Sequence, residues 1–173
     1  MCLYLKDKKP KVATKDITCY KVLVEFEEIG PRGGIKRKYR TPFQEAPAKL
    51  GVTLKAYGCI KLGKLTWAKD TMAQGYTHFV AAGLIHTFKT LQGARKAVND
   101  DNYCFGYQPV IVKCVIPKGT EYFEGVFEYT GINSYASSKV EVGKRVTPEY
   151  TRYSEIMKRE KKYTKLVPSH VLR

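Results

Sequence analysis

Hydrophobic and polar positions alternate along much of this chain, and the alternation predicts strands more often than helices. Asp16 to Glu28 (DITCYKVLVEFEE) is rich in Ile, Thr, Tyr, Val and Phe and is predicted as a strand. Gly30, Pro31, Gly33 and Gly34 then predict a turn, and Ile35 to Thr41 (IKRKYRT) the return strand of a hairpin. Period 2 places Lys36, Lys38 and Arg40 on one face of that strand, with Ile35, Arg37 and Tyr39 on the other. Three cations on one strand face cannot be buried unpaired. Between residues 42 and 75, Pro42, Pro47, Gly51, Gly58 and Gly63 leave room only for short strands, near Val52–Tyr57 and Lys64–Ala68. Tyr76 to Ile85 (YTHFVAAGLI) is mostly apolar and is expected as a single buried strand.

Period 3.6 takes over next. Thr87 or Thr90 is a candidate N-cap, and Leu91, Ala94, Ala97 and Val98 form an apolar stripe that should end near Asn99. Gly93 weakens this short helix. Val110 to Ile116 (VIVKCVI) is the clearest strand, Pro117 to Thr120 a turn, and Glu121 to Tyr129 its expected antiparallel partner. Ser138 to Val146 is the last strand. Thr147-Pro148-Glu149 combines a cap, a proline at the first helical position and an acid in the first turn. It starts a helix running to about Tyr163, whose second half is mostly basic. The expected fold is α+β: an antiparallel sheet with one short packed helix and a basic C-terminal helix. Residues 1–146 would form a single α+β domain, and residues 147–173 the C-terminal basic helix and tail.

Composition adds a charge argument. The 173 residues carry 31 Lys+Arg against 16 Asp+Glu, a formal charge of +15. Residues 101–130 carry −2 and residues 131–173 carry +6. Such an excess concentrates anionic partners, with nucleotides and nucleic acids foremost. The longest stretch without a charged residue, Thr71 to Phe88, is interrupted by polar residues, so no membrane span and no membrane partner is expected. The opening MCLYLKDKKP lacks a secretory apolar core, and a cytoplasmic location is expected. Five cysteines at gaps of 17, 40, 45 and 10 suit a reducing compartment and show no zinc-ligand spacing, so neither a metal nor a cofactor is expected.

Catalytic signatures are sparse. The sequence has no GxSxG, HExxH or GxxxxGK[ST]. Glu25-Phe26-Glu27 puts two acids on one strand face and loosely resembles the ExE of some ADP-ribosyltransferases. His78 and His86, eight residues apart on the Tyr76–Ile85 strand and its end, should share a face. A histidine at a strand–helix junction suits phosphate contact or a hydrogen-bonded core place equally. Tyrosines interleave with cations, as at Tyr39 between Lys38 and Arg40, which suits base stacking with phosphate neutralisation.

Several stretches together resemble small uncharacterised proteins of bacteriophages, prophages and gut bacteria. They are Cys2-Leu3-Tyr4-Leu5 with Lys9-Pro10, Ile17 to Leu23, Thr41-Pro42-Phe43-Gln44, Gly83 to Phe88, Cys114 to Tyr122 and Tyr135 to Val140. The resemblance spans about residues 1–145 and implies a phage setting. There, small basic proteins often target nucleic acids or host defence.

Three functions follow as expectations. The first is a non-enzymatic binding protein for an anionic nucleotide-like ligand, such as a sponge for a nucleotide immune messenger. Its candidate ligand-binding residues are Lys36, Lys38, Tyr39, Arg40, His78, His86, Arg95 and Lys118. The second is a nucleic-acid-binding protein using the basic strand face and the C-terminal helix. The third is an inhibitor of a host defence protein. An enzyme acting on a nucleotide is the weaker alternative, and a homo-oligomer is compatible with each.

Overall fold

A computed structural model describes residues 3–5, 8–31, 33–42, 46–56, 60–64, 76, 78–99, 108–127 and 130–146. In chain order the strands are β1 (Leu3–Leu5), β2 (Lys11–Val12), β3 (Ile17–Ile29), β4 (Ile35–Arg40), β5 (Pro47–Ala48), β6 (Thr53–Lys55), β7 (Lys61–Lys64), β8 (His78–Ala82) and β9 (Ile85–Phe88). Helix α1 (Leu91–Val98) follows, then β10 (Gln108–Ile116), β11 (Glu121–Phe127), β12 (Ile132–Ser137) and β13 (Lys139–Val146). All belong to one antiparallel sheet with the central order β6-β13-β10-β3-β9-β12-β11-β1-β8-β7.

Among the described residues strand accounts for 62% and helix for 7%, and the sheet curls into a half-barrel with one short helix. The expected α+β class is therefore corrected to a mostly antiparallel-sheet fold. Many strands escaped sequence reading because they are short or polar, as β1, β2, β5 and β12 are. The predicted C-terminal helix lies outside the described residues.

β3 is the axis of the sheet. Its odd positions, Cys19 and Leu23, enter a core with Val110, Val112, Cys114, Ile116, Val140 and Val142. Its even positions, Tyr20 and Val22, enter a second core with Phe88, Ile111, Phe127, Ile132 and the apolar stripe of α1. The two faces of one strand thus serve two cores, which is why this segment reads as nearly continuous hydrophobic sequence.

The curl follows from register. β8 pairs with β1, β1 with β11, β11 with β12 and β12 with β9. Three strands lie between β8 and β9 in the sheet, yet only Gly83 and Leu84 separate them in sequence. Three Cα–Cα steps span at most about 11 Å, so the ribbon must roll back on itself. The expected single strand from Tyr76 to Ile85 is instead kinked: it leaves β1 as β8, bends at Gly83 (φ 84°) and joins β12 as β9. Following paired residues from His78 through Leu5, Gly125 and Ser134 returns to the chain at Phe88. That large stagger tilts the strands steeply. Leu3, Leu5, Val80, Leu84, Phe123 and Ala136 fill the roll.

A second correction concerns β11. It pairs with β12, β1 and β2 rather than with β10, although a tight turn joins the two. β10 is already flanked by β3 and β13.

α1 begins and ends as its sequence dictates. The Thr90 hydroxyl accepts the Gly93 N–H, and Asn99 is the C-cap. Gly93 is no defect here: a Cβ there would lie 2.7 Å from Ile132 Cγ2, so glycine lets the helix settle onto β12.

The tightest point of the roll is Gly125, where an added Cβ would overlap the Tyr4 carbonyl oxygen of the neighbouring strand. The obstacle is backbone and cannot rotate away. Gly125→Ala is expected to destabilise the protein by about 2 kcal/mol or more, in the range of overpacked cores. Gly34→Ala, which meets nothing within 4 Å, should be close to neutral. Urea unfolding of both variants checks this, and equal midpoints would contradict it.

Candidate functional site

The β3–β4 hairpin sets the geometry of the site. Glu25, Glu27 and Ile29 lie opposite Tyr39, Arg37 and Ile35, while Val24, Phe26 and Glu28 lie opposite Arg40, Lys38 and Lys36. One hairpin face therefore carries Glu25, Glu27, Arg37 and Tyr39, and the other carries Phe26, Glu28, Lys36, Lys38 and Arg40. The turn closes with the Gly30 N–H on the Gly34 carbonyl at 2.8 Å, and Gly33 takes φ 75°, which glycine alone adopts without strain.

On the first face a pocket of about 340 Å³ is lined by Glu25, Phe26, Glu27, Arg37 and Arg145. Arg145 arrives from β13, where it lies opposite Val112. Its Nη1 donates to both oxygens of Glu25, at 3.1 and 3.4 Å. The Glu25 side chain is 6% exposed and that of Arg145 30%. Losing one partner of so enclosed a pair costs about 3–5 kcal/mol, because the other charge stays behind without compensation. Arg145 Nε is closed off and has no hydrogen-bond partner among the described residues. Arg37 is different. Its Nε stands 3.8 Å from Glu27, and both side chains are more than half exposed, so this pair contributes little.

Two guanidiniums and two carboxylates thus meet on one wall. Guanidiniums take phosphate or carboxylate oxygens through paired N–H groups, and carboxylates accept N–H donors such as those of a nucleobase edge. The carboxylates of Glu25 and Glu27 both face arginines. The Phe26 ring lies on the far face under the Arg40 guanidinium, 3.9 Å from its carbon to the ring centre.

The sequence-predicted residues scatter. Lys36, Lys38 and Arg40 share a face as expected, with Lys38 ion-paired to Glu28. Tyr39 turns the other way and packs against the core around Ala48 and Leu23. Lys118 sits in the β10–β11 turn, where its N–H donates to Asp16 at 2.9 Å. Asp16 and Glu28 stand at opposite ends of β3, roughly 40 Å apart at the rise of an extended strand, so Lys118 and the basic face cannot hold one small ligand. Arg95 is exposed on α1. His78 and His86 fall on β8 and β9, on the two arms of the kinked strand.

His86 lies opposite Ala136, on the side of the apolar roll. Both ring nitrogens are closed off with no hydrogen-bond partner among the described residues. Burial, and next the charge of Lys21, pushes its pKa down to about 3. At neutral pH it is uncharged and offers no cation to an anion.

Sequence reading passed over Lys21. It is 6% exposed on the Cys19–Leu23 face, and its Nζ donates to the His86 carbonyl at 3.0 Å. β3 and β9 share a single paired position, Tyr20 with Phe88, and Lys21 adds a second tie between them. Burial lowers its pKa. Cys19 and Cys114 lie opposite each other beside it, both free thiols, and burial pushes them up to about 11 and about 12. Thiols so far from their thiolate form are inert packing groups.

Arg145 was also missed, since its place depends on a strand pairing that no local pattern reveals. Arg37 was legible by period 2 but was set aside with the apolar face.

Among the described residues no group of three or more His, Cys, Asp or Glu side chains is placed to hold a metal ion. No helix among them is long and apolar enough to cross a membrane. No family model, no curated protein and no solved structure matches the chain.

The buried imidazole has a measurable consequence. Unfolded, His86 takes a proton near pH 6.5; folded, it resists until about pH 3. Protons therefore bind the unfolded chain preferentially across that window, and stability falls as pH drops. His86→Leu removes this term. From pH 7 to pH 5 the unfolding free energy of the variant should gain on wild type by on the order of 2 kcal/mol. A gap that stays constant with pH in urea titrations would refute the assignment.

Proposed function

We propose that this protein is a non-enzymatic binding protein for a small nucleotide-like anion, held in the pocket between β3, β4 and β13. One observation carries the reading: Arg37 and Arg145 converge with Glu25 and Glu27 on a single pocket of about 340 Å³. That volume falls within the usual range for small-molecule sites, about 300–1,000 Å³. The arginines answer a phosphate, and the glutamates answer the N–H edge of a base. The formal charge of +15 raises the local concentration of such a ligand. On the resemblance to phage proteins, the role this serves is capture of a nucleotide messenger of host defence.

The test is a titration of the intact protein with ribonucleoside monophosphates, diphosphates and cyclic dinucleotides, read by calorimetry and by native mass spectrometry. At least one class should bind. Arg37→Ala, at an exposed side chain, should weaken that binding at least tenfold with an unchanged melting temperature. Arg145→Lys keeps the charge beside Glu25 but loses the fork, and should also weaken it. Absence of binding across the panel at millimolar concentration overturns the reading, as does full affinity in Arg37→Ala.

A further inference from the structure

The far-face lysines Lys36 and Lys38 and the hairpin tip at Ile29 do not line the pocket. β10 stops pairing with β3 at Glu25, and β5 pairs with β4 only at Tyr39 and Arg40. Beyond these points residues 26–29 and 35–38 pair only with each other among the described residues. They form a two-stranded ribbon roughly 14 Å long at the rise of an extended strand. Glu27, Glu28, Ile29, Lys36, Arg37 and Lys38 are all exposed along it.

A ribbon standing out from a sheet has no packing reason to end in bare aliphatic surface. This one does: Ile29 is 76% exposed at the tip, opposite the register position of Ile35, and Pro31 lies in the turn between them. Behind the tip the cations outnumber the acids. Lys38 meets Glu28, but an exposed pair of this kind is worth only about 0–1 kcal/mol, so a phosphate displaces the carboxylate at little cost.

We propose that the ribbon is an arm for duplex DNA, with Lys36 and Lys38 on backbone phosphates and Ile29 as an apolar wedge at a base step. The shape fits. Two-stranded ribbons enter either groove of a duplex, and proteins seated in the minor groove insert isoleucine and proline wedges that unstack base steps and kink the helix. The cations supply affinity without sequence preference, because phosphate contacts carry no sequence information. The wedge demands a stacked duplex, which separates this partner from a single strand or a free nucleotide.

The experiment uses the full chain, a mixed-sequence 20-base-pair DNA duplex labelled at both ends, and one of its strands alone. Binding is measured by anisotropy across a salt series, and bending by energy transfer between the end labels. Duplex binding should weaken steeply with salt, and Lys36→Ala/Lys38→Ala should reduce the log–log salt slope by about 2. Ile29→Ser should keep that slope and lose the bend. Arg145→Lys should leave both unchanged, so failure of the pocket and failure of the ribbon read out separately. Equal or tighter binding of the single strand overturns the proposal. So does an unaltered slope in the double variant, or an unbent duplex with wild-type protein.

Discussion

Two cores, one on each face of the sheet, are fastened to the alternation of side chains along β3. On one side Cys19 and Leu23 are completely buried among the valines of β10 and β13; on the other, Val22 is buried under α1. A slip of one residue in its pairing would exchange both sets at once. Neither core would tolerate the swap, since Lys21 and Glu25 belong to one face and have partners only there. Lys21 reaches the His86 carbonyl and Glu25 meets Arg145. Both polar positions sit in the run ITCYKVLVE as departures from an apolar pattern. Each is a specific tether, one toward β9 and one toward β13. Polar groups buried with a single suitable partner penalise every other register, because elsewhere they stay unpaired.

From that fixed strand the half-barrel follows by geometry. The kinked passage from β8 to β9 forces the three strands between them to roll, and rolling brings backbones together at Gly125. The helix covers what the roll leaves open. Its stripe lies against Phe88, Phe127 and Ile132, and Phe88 meets Phe127 edge to face at 5.6 Å. His86 buries both of its ring nitrogens with no hydrogen-bond partner among the described residues. An apolar residue there would pack without the desolvation cost.

What could be read from the sequence was local. β3, its turn, β4, β10 and α1 each carry their own signal, and their limits lie within a few residues of those expected. Pairing beyond a hairpin was not legible: β11 follows β10 through a tight turn and still belongs to another part of the sheet. β12 was invisible for a different reason. Its run INSYAS looks like loop sequence because its serines appear unsuited to burial. They are buried nonetheless, since Ser134 donates to the Ile132 carbonyl at 2.9 Å and Ser137 to the Lys139 carbonyl at 3.2 Å. Locally satisfied hydroxyls let polar sequence occupy a core position. The pocket was half legible. Period 2 placed Glu25 and Glu27 on one face, and Arg37 on one face of its own strand. Arg145 comes from a strand more than a hundred residues away in sequence, through a pairing that only the folded sheet discloses.

Net charge by itself points to a different hairpin face from the one that carries the pocket. Lys36, Lys38 and Arg40 are the densest basic cluster of the described strands, yet none of them lines the pocket. Electrostatic attraction brings an anion near such a face but gives it no shape to fill, so it favours long polyanions held at several points. A small ligand needs concavity and donors held in place, and these occur where Arg145 is pinned by a buried carboxylate. The acids that lower the net charge of the pocket also order it: Glu25 holds Arg145 in position, and neither a bare cation cluster nor an uncharged cleft would do so. The same hairpin keeps the two surfaces apart, because its period of 2 sends alternate residues to opposite sides.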